Sequence, residues 1–312
     1  MLVFGQNFDG DYNPGANGHY TDQVRSFDIV DTGKSLSINH LSASPADESI
    51  YRRRDYNLID IMHSDPATGA LSEGLVALGG VFTSTGGAWT VPVTVGADGV
   101  PHMADPAAAD TLKMGLNLYA SASFSTFSQV TGVNYATLFG GISGGTFDPA
   151  TNTFSPDAEL PFNNVITTIV IDKNGKLSQD LMTTQFPTLL SQTVNPGNPL
   201  LFGASARFFA AAGIPQFDNG VIDLDAVMAE ATADSITLGY VFGGIASTLP
   251  NTNSSADSMG SNTVFTVTID LPPLIDVKTA GTTASGTADV GRRLLIENAG
   301  AKYVITAGSN VL

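Results

Sequence analysis

The stretch LVALGGVF at residues 75–82 decides how this chain folds. Versions of it return as ATLFGGI at residues 136–142 and LGYVFGGI at residues 238–245, and a shorter version, LVFGQ, stands at residues 2–6. Each is a short apolar run, rich in branched and aromatic residues, that leads into glycine. This composition is typical of a buried strand whose end needs positive φ or a close backbone approach. Recurrence of one such unit indicates a repeat architecture.

Three turns support the repeat, because each places Asp or Asn near glycine between two apolar runs. They are DTGK at residues 31–34, GADG at residues 96–99 and DKNG at residues 172–175. A turn of this composition is a strong short-range signal for a β-hairpin. The sequence therefore predicts a hairpin in each of the first three repeat units.

A further strand is predicted ahead of each of the last three glycine pairs, at residues 54–62, 114–122 and 201–209. These segments mix small, polar and aromatic residues, which suits an inner strand with neighbours on both faces. Each unit then has four antiparallel strands, and four-stranded units in series are what a β-propeller requires. We predict an all-β chain with a β-propeller of about four blades over residues 1–272, divided into 1–49, 50–110, 111–187 and 188–272.

The last part of the chain, residues 273–312, follows a proline-rich break and contains a linker rich in Gly, Ala and Thr. Residues 303–306 are a strand candidate with no unit of their own. We predict that this strand returns to close the first blade, which lacks an inner strand. The alternative is an appended hairpin with residues 294–296. The fourth unit has the longest insertion, residues 213–234, which is predicted to form a short helix or a lid-like loop.

The chain of 312 residues is acidic, with 13 Lys and Arg against 29 Asp and Glu and a formal net charge of −16. Such a surface repels phosphate backbones and anionic lipid headgroups, so nucleic acid is not an expected partner. The absence of cysteine excludes disulfides, thiolate catalysis and cysteine-based zinc sites. No apolar run is long enough for a membrane-spanning helix, and no signal peptide is predicted at Met1. Soluble cations, neutral sugars and basic proteins stay open as partners.

The order of Arg53, the pair Gly79–Gly80 and Trp89 resembles the kelch type of β-propeller repeat. The phrase RRRDYN at residues 52–57 also resembles secreted, propeller-like proteins of Bacteroidetes-type bacteria. Kinship with those proteins implies export to the cell surface. From the resemblance we expect an extracellular or cell-surface kelch-like propeller.

Arg52, Arg53 and Arg54 hold three of the thirteen basic residues. A guanidinium that faces a ligand binds a carboxylate or sulfate through its fork of donors. These three residues, Trp89 and Arg207 are the ligand-binding candidates. The alternative for the arginines is pairing with local acids or with main-chain carbonyls. For Trp89 the alternative to stacking on a sugar is packing against its neighbours.

Asp9, Asp11 and Asn13 imitate the alternate oxygen spacing of a calcium loop. Pro14 and Tyr20 stand where that loop needs Gly and Glu, so a polar loop stiffened by proline and glycine is the favoured interpretation. The four histidines are scattered without the spacing of metal ligands, and no cofactor motif is present. No metal or cofactor is predicted.

No sequence motif of an active site is present. We expect a non-catalytic propeller that binds a protein or glycan partner through loops on one face, with residues 144–157, 213–234 and 249–260 as the candidate loops. Two alternatives stay open. One is a polysaccharide-active glycosidase with carboxylates at the propeller axis, near Arg53 or Arg207. The other is a structural module of a larger envelope or adhesin protein.

Overall fold

The computed structural model describes residues 1–11, 18–65, 67–148, 151–182, 184–231, 235–252 and 254–270, and the backbone of residues 302–307. This part of the chain is all-β, as the sequence predicts, with many antiparallel sheets and two short helices. It forms two compact units. The first consists of residues 1–120 and 142–161, and the second of residues 121–141 and 162–312. None of the sheets formed by the described residues closes on itself.

The elements are numbered along the chain. The helices are α1 (Glu48–Tyr51) and α2 (Leu224–Ala229). The strands are β1 (Leu2–Val3), β2 (Gln6–Phe8), β3 (Gly18–Tyr20), β4 (Val24–Asp31), β5 (Leu36–Ala43), β6 (Asn57–Ser64), β7 (Leu71–Leu78), β8 (Val93–Val95), β9 (Pro101–Met103), β10 (Ala122–Ser128), β11 (Val133–Ile142), β12 (Gly145–Asp148), β13 (Thr153–Pro156), β14 (Phe162–Ile171), β15 (Leu177–Leu181), β16 (Leu201–Ala204), β17 (Arg207–Ala210), β18 (Ile222–Asp223), β19 (Ser235–Phe242), β20 (Ile245–Ser247), β21 (Ser258–Gly260), β22 (Val264–Asp270) and β23 (Lys302–Ala307).

The first unit contains a three-stranded sheet, β1-β4-β5, and a four-stranded sheet, β6-β7-β8-β9. Both are antiparallel meanders, since each strand pairs with the next strand of its sheet along the chain. The short pairs β2–β3 and β12–β13 complete the unit. Its buried cluster joins side chains of the two larger sheets, namely Val3, Phe4, Val24, Ala77, Val93 and Val95.

The second unit contains sheets of the order β15-β14-β11-β10-β18, β17-β19-β22-β23 and β16-β20-β21. The first two are meanders, and β18 joins the first of them in parallel to β10. Phenylalanine dominates the core, because the ring of Phe186 contacts those of Phe139, Phe202 and Phe265 at centroid distances of 6.4, 5.8 and 4.8 Å. These rings bury the apolar faces of several strands in one cluster.

The glycine pairs adopt the geometry that their sequence predicts. Gly79 and Gly140 have φ of 68° and 56°, where an L side chain is strained. A Cβ atom on Gly79 would also overlap the carbonyl oxygen of Leu118, and one on Gly140 would overlap that of Phe202. Positive φ and close backbone approach therefore act together at the end of these strands.

The three turn motifs form the predicted hairpins β4–β5, β8–β9 and β14–β15. The prediction of a short helix within residues 213–234 is also confirmed, as α2. Asp223 caps this helix, with its side-chain Oδ1 accepting a hydrogen bond of 3.0 Å from the Ala226 N–H. Leu224, Val227 and Met228 are buried in the core of the second unit, so α2 is a packed element rather than a lid.

Three strand predictions are wrong. The inner strand predicted at residues 201–209 consists of two short strands, β16 and β17, which belong to different sheets, because Ser205 with a φ of 58° interrupts the extended chain. The inner strand predicted at residues 114–122 lies instead at β10, because Asn117 and Ala120 have positive φ values of 53° and 45° that interrupt an extended chain. The C-terminal strand β23 does not close the first blade. It pairs antiparallel with β22, with Phe265 opposite Ala307 and Asp270 opposite Lys302, and so extends the last sheet. Residues 294–296 of the alternative hairpin lie outside the described residues.

No helix in the described ranges is long and apolar enough to cross a membrane.

Candidate functional site

Arg53 lies in the core of the first unit, with an exposed fraction of 0%. Its guanidinium donates hydrogen bonds to the carbonyl oxygens of Gly79, Val91 and Ile50 at 3.2–3.3 Å and stands 4.6 Å from the centroid of the Trp89 ring. Burial lowers its pKa to about 10, so the group is still cationic at neutral pH. The side chain therefore cross-links main-chain segments, as expected from the alternative that the arginines pair with main-chain carbonyls.

Arg52 is also bound locally. Its guanidinium donates to the carbonyl oxygens of Phe82 and Thr83 at 2.7 and 3.2 Å, lies 3.3 Å from Glu48 and stacks on the Tyr20 ring at 4.2 Å. These contacts occupy the donors that a ligand would need.

Arg54 forms a third set of local contacts. It lies 3.3 Å from the Asp55 carboxylate, donates a 2.8 Å hydrogen bond to the Gln6 side chain and stacks on the Phe82 ring at 4.7 Å. The arginine triplet as a whole thus binds several parts of its own unit.

Trp89 is part of the same cluster. Its Nε1–H donates a 2.7 Å hydrogen bond to the Arg52 carbonyl, and its backbone N–H donates to the carbonyl of Gly80. The indole ring is half-buried against the Arg53 guanidinium. These contacts match the packing alternative for Trp89 and leave little of the ring for stacking on a sugar.

Arg207 belongs to a different surface, in the second unit. Strand β17 pairs with β19 so that Arg207 stands opposite Phe242 and Phe209 opposite Tyr240. Because side chains alternate along a strand, these four residues project from one side of the sheet. We call this surface the aromatic face.

The aromatic face is open to solvent. The exposed fractions of Phe209, Tyr240 and Phe242 are 54%, 41% and 40%, whereas Val241, which points to the other side of the sheet, is 2% exposed. Arg207 is exposed as well, and its guanidinium forms no hydrogen bond or ion pair with any of the described residues. Its donors are therefore available to a ligand.

The chemistry of the aromatic face suits a ligand with flat apolar surfaces and hydroxyl groups. Aromatic rings stack on apolar surfaces, and the Tyr240 hydroxyl and the Arg207 guanidinium add hydrogen-bonding groups at the rim. Large aromatic side chains are more often buried than exposed, so three exposed ones at neighbouring positions of two strands indicate a binding surface.

One carboxylate pair lies in the first unit, on the sheet β6-β7-β8-β9. Asp60 is paired with Leu75 and Glu73 with Met62, so the two carboxylates are diagonal neighbours on one side of the sheet. Burial and, to a lesser extent, the charge of Glu73 raise the pKa of the Asp60 carboxyl. A carboxyl group that retains its proton more readily is the kind of group that serves as a general acid.

The calcium candidates do not form a described site. Asp9 and Asp11 are exposed, and Asn13 lies outside the described residues. Within the described ranges, no group of three or more His, Cys, Asp or Glu side chains is placed to hold a metal ion.

Two of the three candidate loops form compact local structure. Residues 144–157 contain the hairpin β12–β13, and residues 213–234 contain the buried helix α2. In the third loop, residues 249–260, the Asp257 side chain accepts a 3.0 Å hydrogen bond from the Asn195 side-chain amide.

The sequence predicts Arg207 as a ligand contact but does not predict its aromatic neighbours. Their signal was present, because Tyr240 and Phe242 flank Val241 with the period of two that marks a strand with one exposed side. The apolar run before Gly243 predicts a buried strand, and this prediction does not take the alternation into account.

No protein-family model matches this chain, and no curated protein matches it. The kelch-like resemblance therefore stays a prediction from the residues.

Proposed function

We propose that this chain is a non-catalytic binding module that holds a neutral glycan on the aromatic face. One observation carries the proposal: Phe209, Tyr240 and Phe242 are exposed together with Arg207 in two cross-strand pairs. The three aromatic side chains are not part of the buried cluster of the second unit. Among the described residues, the Arg207 guanidinium has no hydrogen-bond or ion-pair partner, so its donors are available.

A glycan fits this surface for geometric reasons. The C–H face of a pyranose ring stacks on an aromatic ring, and residues two apart on a strand are about 7 Å apart. Tyr240 and Phe242 are so spaced, and Phe209 lies beside Tyr240 on the neighbouring strand. Consecutive sugars of a chain thus meet consecutive aromatic rings, while Arg207 donates to their hydroxyl groups.

The charge of the protein favours a neutral glycan over an acidic one. The formal net charge of −16 repels polyanions over the screening length of about 8 Å at physiological ionic strength. A single arginine on the aromatic face does not reverse that field, so its role is hydrogen bonding to hydroxyl groups.

The proposed setting of this module is a kelch-like propeller outside the cell or on its surface. Support for the propeller comes from the four-stranded meanders and from the order β1-β4-β5, which matches β7-β8-β9 in the next sheet. The glycine pairs at corresponding strand ends add to this support. Solution X-ray scattering tests the propeller, because stacked sandwiches and a ring of blades give different distance distributions.

A glycan array followed by titration calorimetry tests the binding proposal. We expect binding to neutral polysaccharides, with affinity reduced about fivefold or more by Tyr240→Ala and by Phe242→Ala, and reduced severalfold by Arg207→Ala, since each aromatic contact is worth about 1 kcal/mol or more. Phe154→Ala is the matched control, because Phe154 is an exposed phenylalanine on another sheet, and it should leave affinity unchanged. A chain that binds no glycan, or whose binding survives Tyr240→Ala and Phe242→Ala together, contradicts the proposal.

A second candidate function, polysaccharide hydrolysis, rests on the Asp60 and Glu73 carboxylates and the raised pKa of Asp60. It predicts release of reducing sugar from the glycans that bind. That release would be abolished by Asp60→Asn and by Glu73→Gln, while binding would persist. Binding without release supports the non-catalytic module.

A further inference from the structure

The hairpin β4–β5 exposes four large aliphatic side chains to solvent. Ile29, Leu36, Ile38 and Leu41 have exposed fractions of 68%, 73%, 62% and 66%. Every residue of β5 is exposed, and β5 is the edge strand of its sheet. A long edge strand with exposed apolar residues is a place where another chain associates.

These four side chains lie on one side of the hairpin. Ile29 pairs with Ile38 and Asp31 with Leu36, so their side chains share a side. Between Ser26 and Asp28 the register shifts, and a β-bulge opposes two residues of β5 to Phe27 of β4.

The bulge preserves the apolar side along β5. His40 takes up the extra position with φ of 52°, and its Nδ1 is held 2.7 Å from the Asp28 carboxylate. Leu41 then follows on the same side as Ile38. The opposite side of β5 carries Ser37 and Asn39, which are polar. The hairpin is therefore two-sided, with one continuous apolar side.

Charged residues end this apolar side at both limits of β4. Side chains alternate along β4, so the apolar side carries Arg25, Phe27, Ile29 and Asp31. The cation Arg25 therefore lies at one end of the apolar side and the anion Asp31 at the other. Arg25 and Asp31 are both exposed. A two-fold rotation that stacks two such strands antiparallel places the Arg25 of one copy against the Asp31 of the other, twice.

We propose that the apolar side of β4–β5 is the contact between two copies of this chain, packed sheet on sheet about a two-fold axis. This arrangement buries the four aliphatic side chains of each copy and closes the interface with two Arg25–Asp31 ion pairs. Sheets that face each other pack about 10 Å apart, which suits interdigitating Ile and Leu side chains.

The size of the hairpin sets the expected strength of the contact. Only the side chains on one side of Val24–Ala43 face the second copy, which is fewer than the roughly 20–30 residues that a stable interface contributes on each side, so we expect a reversible rather than a permanent dimer. The self-complementary order of charge is the reason to assign the partner as a second copy, because a two-fold contact requires that each patch fit itself.

Sedimentation velocity of the full chain over roughly 1–100 μM tests the proposal. We expect a reversible dimer. Ile38→Lys should weaken it by about 100-fold or more, because two buried aliphatic side chains become charged. Ser37→Lys on the polar side is the matched control and should leave the dissociation constant within about twofold.

A charge-reversal series tests the two-fold geometry. Arg25→Asp and Asp31→Arg should each weaken the dimer by about tenfold, and the double variant should recover most of the loss. Circular dichroism verifies folding of each variant, since Asp31 also accepts a hydrogen bond from the Gly33 N–H in the turn.

Several results would overturn the proposal. A chain that stays monomeric across this range would point to a different protein as the partner of the hairpin. A dimer that tolerates Ile38→Lys, or that Ser37→Lys dissociates equally, would place the contact elsewhere. A double charge reversal no tighter than the single variants would exclude the two-fold stacking.

Discussion

Replacement of Arg53 by Met removes the guanidinium that cross-links the first unit while retaining much of the apolar stem. Three carbonyl oxygens, of Gly79, Val91 and Ile50, lose their charged donor. Each loss costs about 1–3 kcal/mol when the group stays buried. The lost stacking on Trp89 costs about 2 kcal/mol in a desolvated site.

Removal of a buried charge offsets part of that cost. The pKa of Arg53 falls from 12.5 to about 10, which corresponds to roughly 3 kcal/mol spent on keeping the group charged within the fold. With a middle value of about 2 kcal/mol for each carbonyl, the balance is a loss of about 5 kcal/mol in the free energy of unfolding of this unit.

Urea denaturation followed by tryptophan fluorescence measures this loss directly. Trp89 is the only tryptophan of the chain, and its ring lies against Arg53, so the signal reports on the first unit. Arg52→Met is the matched control. The Arg52 side chain is 25% exposed, so water can replace its partners, and we expect a loss of about 1 kcal/mol or less.

The expected order of stability is wild type, then Arg52→Met, then Arg53→Met by a clear margin. A loss below about 1 kcal/mol for Arg53→Met would refute the structural role argued for this side chain.

Two further predictions follow from the sheets. Gly140→Ala should lower the free energy of unfolding by about 3 kcal/mol or more, because the new Cβ atom overlaps the Phe202 carbonyl oxygen at a position with positive φ. Gly175→Ala is the control and should cost only about 1 kcal/mol, because Gly175 has positive φ but open space around it. Equal shifts of the melting temperature for the two variants would contradict the close approach at Gly140. Asp60→Asn should stabilise the fold at neutral pH. Because the pKa of Asp60 is raised in the folded state, the carboxyl group contributes most to folding stability below pH 3.8, and that contribution is lost as the pH rises through the folded pKa. The gain in stability from Asp60→Asn should therefore vanish in acid. A variant that is less stable than wild type at pH 7 would refute this sign.

Much of the local structure was predictable because it is encoded in short, contiguous segments. Glycine at residues 79 and 140 marks a backbone shape that other residues resist, and Asp-Gly or Asn-Gly turns close hairpins with few long-range contacts. Asp223 likewise starts α2 through a bond to an amide three residues away. These signals depend on neighbours in sequence, so the all-β class could be predicted from them.

The candidate site was only partly predictable. The sequence marks Arg53 as a basic residue in an acidic chain, yet only the folded structure places its guanidinium within reach of three carbonyl oxygens and a tryptophan ring. The sequence marks Arg207 in the same way, but its value as a ligand contact comes from Phe209, Tyr240 and Phe242, which strand pairing brings beside it.

The sequence by itself determined the all-β class, the three turn-closed hairpins and the glycine-marked strand ends, because each arises from backbone preferences within a few residues. Only the tertiary structure decided which edge receives β23, which strand pairs with β10 in parallel, and which side of β19 meets solvent. The physical reason is that an edge or a face is buried by whatever packs on it, and that partner lies far away in the chain.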